Sequence, residues 1–109
     1  MITGVSSFVG MHLARIFYGA GWNVTAVTRN PLDSYIGVRA QRLTILNEIV
    51  DFVTCNILEI KSIKEVVDRY KPDVWIHHAG YTENYGSPDY SLQKSLAVNV
   101  LSLEPLYQQ

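Results

Sequence analysis

Short apolar clusters of strand length alternate along this chain with longer stretches in which apolar residues recur at helical spacing, an order that predicts a parallel sheet with helical crossovers. Met1 to Thr3 reads as the end of a first strand. From Phe8 to Tyr18, the residues Phe8, Val9, Leu13, Ile16 and Phe17 repeat at helical spacing until Gly19 and Gly21 end the run. Val24 to Thr28 predicts a second strand. Asn30-Pro31 then breaks the chain, because proline lacks an amide hydrogen and disfavours a helical residue before it. Leu32 to Gly37 is accordingly a loop and Val38 to Glu48 a second helix. Val50 to Cys55 predicts a third strand, and Ser62 to Tyr70 a third helix capped by Ser62 with Glu65 in the capping-box position. A fourth strand, Val74 to His77, follows the Lys71-Pro72-Asp73 break. A last helix is expected over roughly Tyr90 to Leu103, closed by Leu103-Glu104-Pro105-Leu106.

The two ends shape the expectation of what is present. Only Met1 to Thr3 precede Gly4, whereas strands commonly run about five or six residues. Four strands also leave an unpaired edge beside the fourth, so the pattern points to a fragment. A chain of 109 residues supports one small domain, and 48% hydrophobic residues with a net charge of -1 suit a globular protein without a general affinity for nucleic acid. No apolar run is long enough to span a bilayer, and no basic segment precedes the apolar N-terminus as in an export signal. Cys55, the sole cysteine, excludes an intrachain disulfide and favours a cytoplasmic setting; in the apolar run Ile49 to Ile57 it is expected to be a buried structural thiol.

The segment Thr3-Gly4-Val5-Ser6-Ser7-Phe8-Val9-Gly10 joins strand to helix, where free helix amides can meet a pyrophosphate. Gly4 permits the tight turn, Ser7 stands at the closest backbone approach, and Gly10 lets the helix pack on the sheet. The same letters also suit a purely structural connection in which Ser6 or Ser7 is an ordinary helix cap.

The stretch TGVSSFVGMHLA resembles the TGxxGxxGxHL opening of extended short-chain dehydrogenases, the NAD-dependent epimerases and dehydratases. Cys55-Asn56-Ile57-Leu58-Glu59 is similar to that family's GDLxD stretch, residues 71–80 to its KPDxVxHLAA segment, and Asn99-Val100 to the NV of its fourth helix. The resemblance implies a Rossmann-type α/β fold, a doubly wound parallel sheet of order 3-2-1-4 that is incomplete here. It implies cofactor contacts from Gly4, Ser6, Ser7, Phe8, Val9 and Gly10 in the turn, from Asn56 and Ile57, from Ala79, Gly80 and Tyr81, and from Asn99. Ser7 replaces the family's middle glycine. Asn56 replaces an aspartate expected near the adenine amine, and its amide oxygen offers an acceptor there.

Strand 2 ends in Val27-Thr28-Arg29-Asn30-Pro31, without the carboxylate that reads a ribose 2′-hydroxyl and with a guanidinium suited to a 2′-phosphate. It resembles the VRDP turn of NADP-dependent dihydroflavonol-reductase-like members, so NADP is expected in preference to NAD. The family's Ser or Thr and its Tyr-x-x-x-Lys pair lie beyond this chain's end. Tyr90 and Lys94 spell that pair on one expected helix face, but they precede Asn99 instead of following it, and no catalytic residue is assigned. His77 and His78 point to opposite faces of a strand and are not expected to share a metal. His77 matches the family's strand-end histidine in a packing or hydrogen-bonding role, and the loop Tyr81 to Pro88 is placed to line a substrate cleft.

The expected function is the NAD(P)-binding part of an epimerase, dehydratase or reductase acting on a nucleotide sugar or similar carbonyl compound, inactive without the missing half. A non-catalytic dinucleotide-binding module or redox sensor is the alternative. The expected partner is a small-molecule substrate, with a homodimer of the full-length protein through the last helix as a candidate assembly.

Overall fold

A computed structural model describes residues 1–80 and 87–101. Its sheet has three parallel strands, β1 (Ile2–Thr3), β2 (Thr25–Thr28) and β3 (Asp51–Thr54), with β2 in the middle. Helix α1 (Phe8–Gly19) joins β1 to β2, and α2 (Gly37–Leu46) joins β2 to β3 after a 3₁₀ turn at Leu32–Ser34. Helix α3 (Ile60–Tyr70) follows β3, and α4 (Leu92–Leu96) continues into a π-helical turn, Ala97–Leu101.

Register decides the layers. Ile2, Ala26 and Phe52 stand abreast, as do Thr3, Val27 and Val53. Successive strand residues face opposite sides, so the two rows look in opposite directions. On one side Ile2 and Ala26 pack with Met11 and Ala14 of α1 and with Leu43 and Leu46 of α2. On the other, Val27 packs with Cys55 and with Ile63 of α3. Helices therefore cover both faces, as a parallel sheet of apolar strands requires.

On the free side of β1, the Thr3 amide donates to the Ile76 carbonyl at 3.0 Å and the Ile76 amide to the Met1 carbonyl at 2.9 Å. The spatial order is thus 3-2-1 with Ile76 in the fourth place, in keeping with the expected 3-2-1-4. The expected fourth strand, Val74 to His77, is however reduced to one parallel bridge between Ile2 and Ile76.

Two further expectations need correction. Helix α3 starts at Ile60 with Glu59 as its cap, and Ser62 lies inside the first turn, where its hydroxyl donates to Glu59 Oε2 at 2.9 Å. The cause is the preceding turn: the Glu59 amide donates to the Asn56 carbonyl and the Ile63 amide to the Glu59 carbonyl, which opens the helix before Ser62. The last helix starts at Leu92, with the Ser91 hydroxyl accepting the Lys94 amide, so Tyr90 precedes the cap and shares no helix face with Lys94. Tyr81 and the segment Leu103 to Leu106 lie outside the described residues. Among the described residues no helix is long and apolar enough to cross a membrane.

Candidate functional site

The carboxyl ends of β1, β2 and β3 and the segment after Ile76 converge on a cavity of about 640 Å³. Parallel α/β sheets hold ligands at this end. The turn residues Gly4, Ser6 and Ser7 line the cavity, together with Arg29, Asn56, Ala79 and Gly80. A cavity of about 220 Å³ beside Trp22 and Pro72 opens at the opposite, amino ends of the strands.

The glycine turn is held from within. Ser7 caps α1: its hydroxyl oxygen accepts the Gly10 amide at 3.1 Å, and its hydrogen goes to the Gly4 carbonyl at 2.7 Å. The residue that replaces the resembled family's middle glycine therefore turns its hydroxyl into the protein. The Met11 amide is satisfied by the Ser7 carbonyl, whereas the amides of Phe8 and Val9 have no acceptor among the described residues. No acidic residue stands in this first turn. Two free donors at the positive end of a helix fit a phosphate oxygen. Ser7→Ala is expected to lower the unfolding free energy by about 1 kcal/mol, and Ser7→Gly by only a few tenths, in urea titrations followed by circular dichroism. A silent Ser7→Ala would show that the cap does not hold the turn.

Arg29 is exposed at the end of β2 and lines the cavity. Sequence reasoning missed two more arginines there. Arg39 Nη1 donates to Ser6 Oγ at 2.9 Å, and Arg42 Nη1 donates to the Ser6 carbonyl at 3.1 Å while its guanidinium lies 6.0 Å from the Phe8 ring centre. Arg39 also lines the cavity, as does Tyr35, whose hydroxyl accepts the Asn30 amide at 3.4 Å. The i, i+3 spacing of the two arginines marks one helix face in the sequence. Their target in the turn is set only when α2 packs beside α1.

Asn56 lines the cavity, but its Oδ1 already accepts the Leu58 amide at 3.0 Å, which leaves one lone pair for another donor. Ile57 also borders the cavity. Phe8 and Val9, whose side chains are exposed on α1, are not among the residues that line the cavity. Gly10 packs beneath the turn, where a Cβ would lie 2.0 Å from the Gly4 carbonyl oxygen. Asn99, in the π-helical turn, donates to Ser95 Oγ at 3.1 Å and faces Gly80, where a Cβ would lie 3.1 Å from Asn99 Oδ1. Tyr90 donates its hydroxyl hydrogen to the same Ser95 oxygen. His78 borders the cavity, and His77 bonds to Thr3. Cys55 is buried, and burial first, then the charge of Glu59, pushes its thiol pKa up, so it stays a neutral thiol.

No curated protein matches this chain. Among solved structures, UDP-glucose 4-epimerase from Brucella ovis in complex with NAD superposes with a TM-score of 0.69 at 23% identity, over 98% of this chain and 30% of that one. UDP-glucuronic acid 4-epimerase from Bacillus cereus, a complex with NAD and a fluorinated UDP-glucuronic acid, gives a TM-score of 0.76 at 18% identity, over 98% and 34%. A protein from Burkholderia multivorans assigned to the short-chain dehydrogenases/reductases, with bound NADP, gives 0.66 at 20% identity, over 98% and 50%. The chain thus spans from about a third to half of these structures, and at such identities the likeness is one of fold. The model of the NAD dependent epimerase/dehydratase family matches residues 1–106, nearly the whole sequence and all of the glycine turn and sheet described above, and the chain belongs to that family.

Proposed function

We propose that this chain binds a nicotinamide dinucleotide at the carboxyl ends of its strands, NADP in preference to NAD. The observation that carries the reading is one cavity lined both by a glycine turn and by arginine side chains. The glycine turn leads into the helix end where the amides of Phe8 and Val9 are free, and Arg29 and Arg39 line the same cavity, Arg39 bonded to Ser6 of the turn itself. The turn suits a pyrophosphate, and the guanidinium groups suit a 2′-phosphate, which they can hold through paired, charge-assisted hydrogen bonds. The bound dinucleotide would supply hydride-transfer chemistry, and this chain would bind and orient it.

The full protein, on this reading, is an epimerase, dehydratase or reductase whose substrate is a nucleotide sugar or similar carbonyl compound. The relatives that carry UDP-sugar names support that substrate class. Leu92 and Leu96, exposed on α4, supply apolar surface for the pairing of two copies through the last helix.

Calorimetric titration of NADP and NAD into the wild type and Arg29→Asp tests the cofactor reading. The substitution removes charge-assisted bonds worth about 1.5–3 kcal/mol and sets a carboxylate against the 2′-phosphate, so the NADP dissociation constant should rise about 10- to 100-fold. NAD, which has a 2′-hydroxyl there, should change by less than about threefold. An unchanged ratio of the two constants would show that Arg29 does not read the ribose. If neither dinucleotide bound the wild type, the reading itself would fail.

A further inference from the structure

The Thr3 hydroxyl stands among three nitrogen atoms. The amides of His78 and Ala79 each donate to Thr3 Oγ1 at 2.9 Å, and His77 Nδ1 lies 3.3 Å from the same oxygen. A hydroxyl has two lone pairs and one hydrogen. Backbone amides can only donate, so they occupy both lone pairs. The third contact can then be made only by the hydroxyl's own hydrogen, and His77 Nδ1 must accept it. A histidine that accepts at Nδ1 is neutral and carries its hydrogen on Nε2. That Nε2 is buried and has no partner among the described residues.

We infer that Thr3 and neutral His77 form a positioning pair that clamps the backbone of residues 78–80 against the glycine turn, and that protonation of His77 opens the clamp. The inference rests on the reading of the cavity as a dinucleotide site. It concerns residues that set the shape of that site: Ala79 and Gly80 line the cavity, His77 is not among its lining residues, and the backbone of 78–79 runs so close to Gly4 that a Cβ there would meet Ala79 N at 2.8 Å. The clamp spans 75 residues of sequence from Thr3 to His78, so local secondary structure alone does not hold these segments together.

The chemistry of opening follows from the same count. A proton added at His77 Nδ1 would face an oxygen whose two lone pairs are already filled. Three donors would then crowd one hydroxyl whose own hydrogen had lost its acceptor. Either the His78 or Ala79 amide must let go, or the imidazole must turn away.

The surroundings hold His77 neutral. Burial first, and the neighbouring His78 imidazole second, depress its pKa below the ordinary value near 6.5. The group facing it from β1 is the uncharged Thr3 hydroxyl; on its own segment it is His78, the one titratable group recorded as acting on it among the described residues. With a depressed folded-state pKa, the unfolded chain takes up the proton first. The clamp's contribution is therefore fully present above pH 6.5 and is lost as the pH falls from there through the depressed value.

The test uses the 109-residue chain and two readouts. The first needs no ligand: nitrogen NMR of the imidazole reports the tautomer, and hydrogen exchange reports protection of the His78 and Ala79 amides. At pH 7.5, His77 should be neutral with its hydrogen on Nε2 and both amides protected; as the pH is lowered, both amides should lose protection at least tenfold relative to neighbouring β2 amides, in step with the protonation of His77 that the nitrogen signals report. Thr3→Ser should keep the protection, and Thr3→Val, of nearly the same shape, should lose it. In His77→Phe, the pH dependence of the two amides should flatten. The second readout is the NADP dissociation constant, expected to rise about tenfold in Thr3→Val and to stay within about threefold in Thr3→Ser. A hydrogen on Nδ1 at pH 7.5, or a folded Thr3→Val with both amides as protected as in the wild type, would overturn the clamp. A chain that shows the tautomer and the protection but binds no dinucleotide would retain the clamp and overturn only the functional reading on which its role rests.

Discussion

Gly10→Ala is expected to be the most damaging addition of a single methyl group to this chain. On helix propensity alone the change should help, since alanine in a helix is favoured over glycine by about 1 kcal/mol. Contact geometry decides the opposite sign. The new Cβ would lie 2.0 Å from the Gly4 carbonyl oxygen, 2.7 Å from the Gly4 carbonyl carbon and 3.0 Å from Ser7 Oγ. Two of these atoms are backbone and cannot swing aside. Relief requires α1 to lift from the turn, which breaks the Ser7 cap and pulls Met11 and Ala14 out of the core they share with Leu43 and Leu46. Overpacking of this kind typically destabilises by about 1–3 kcal/mol, and the lost cap and core contacts bring the expected total to about 3 kcal/mol or more. In a domain whose whole stability is about 5–15 kcal/mol, a large part of the population would unfold on mild warming. Urea unfolding followed by circular dichroism measures the change. A variant as stable as the wild type would mean that α1 does not rest on the turn.

Gly4→Val is expected to abolish dinucleotide binding and to weaken the fold as well. The sequence alone suggests that a side chain here harms binding more than folding, because the turn meets the cofactor. The structure adds a second lesion. Gly4 has φ +74°, a region that a β-branched residue enters only at about 1–3 kcal/mol of strain. Its Cβ would also meet Ala79 N and the His78 carbonyl carbon, both at 2.8 Å, so the turn and the 78–79 backbone cannot keep their present approach. Calorimetry with NADP should show no binding at concentrations that saturate the wild type, and the urea midpoint should fall. Gly4→Ala, with a smaller group in the same strained conformation, should show both effects in weaker form. Two folded proteins that bind NADP equally well would make the turn a structural connection only.

The sequence by itself determined the order of elements and the place of the turn. Periodicity and chain breakers act over a few residues, so β1, α1, β2, α2 and β3 fall where the apolar pattern and Asn30-Pro31 put them, to within a residue or two at most ends. The Thr3 to Gly10 segment was legible for the same reason, as was Cys55 as a buried thiol. Errors arose where two local signals competed. Ser62 with Glu65 looks like a capping box, but the turn anchored on Asn56 starts the helix earlier, and Ser91 takes the cap that leaves Tyr90 outside α4.

Tertiary structure decided what depends on distant partners. Arg39 reaches Ser6 across 33 positions and Arg42 reaches it across 36, because α2 packs beside α1; nothing in their neighbouring letters names that target. The expected fourth strand is the Ile76 bridge, a pairing with the distant Ile2 that periodicity over a few residues does not report. Thr3 belongs to the glycine motif, yet its hydroxyl serves His77, His78 and Ala79, which only the parallel register of Ile2 beside Ile76 brings within hydrogen-bonding distance. Short-range pattern fixes which backbone forms, whereas the direction of a hydroxyl or a guanidinium is fixed by whatever acceptor the packed sheet and helices place before it.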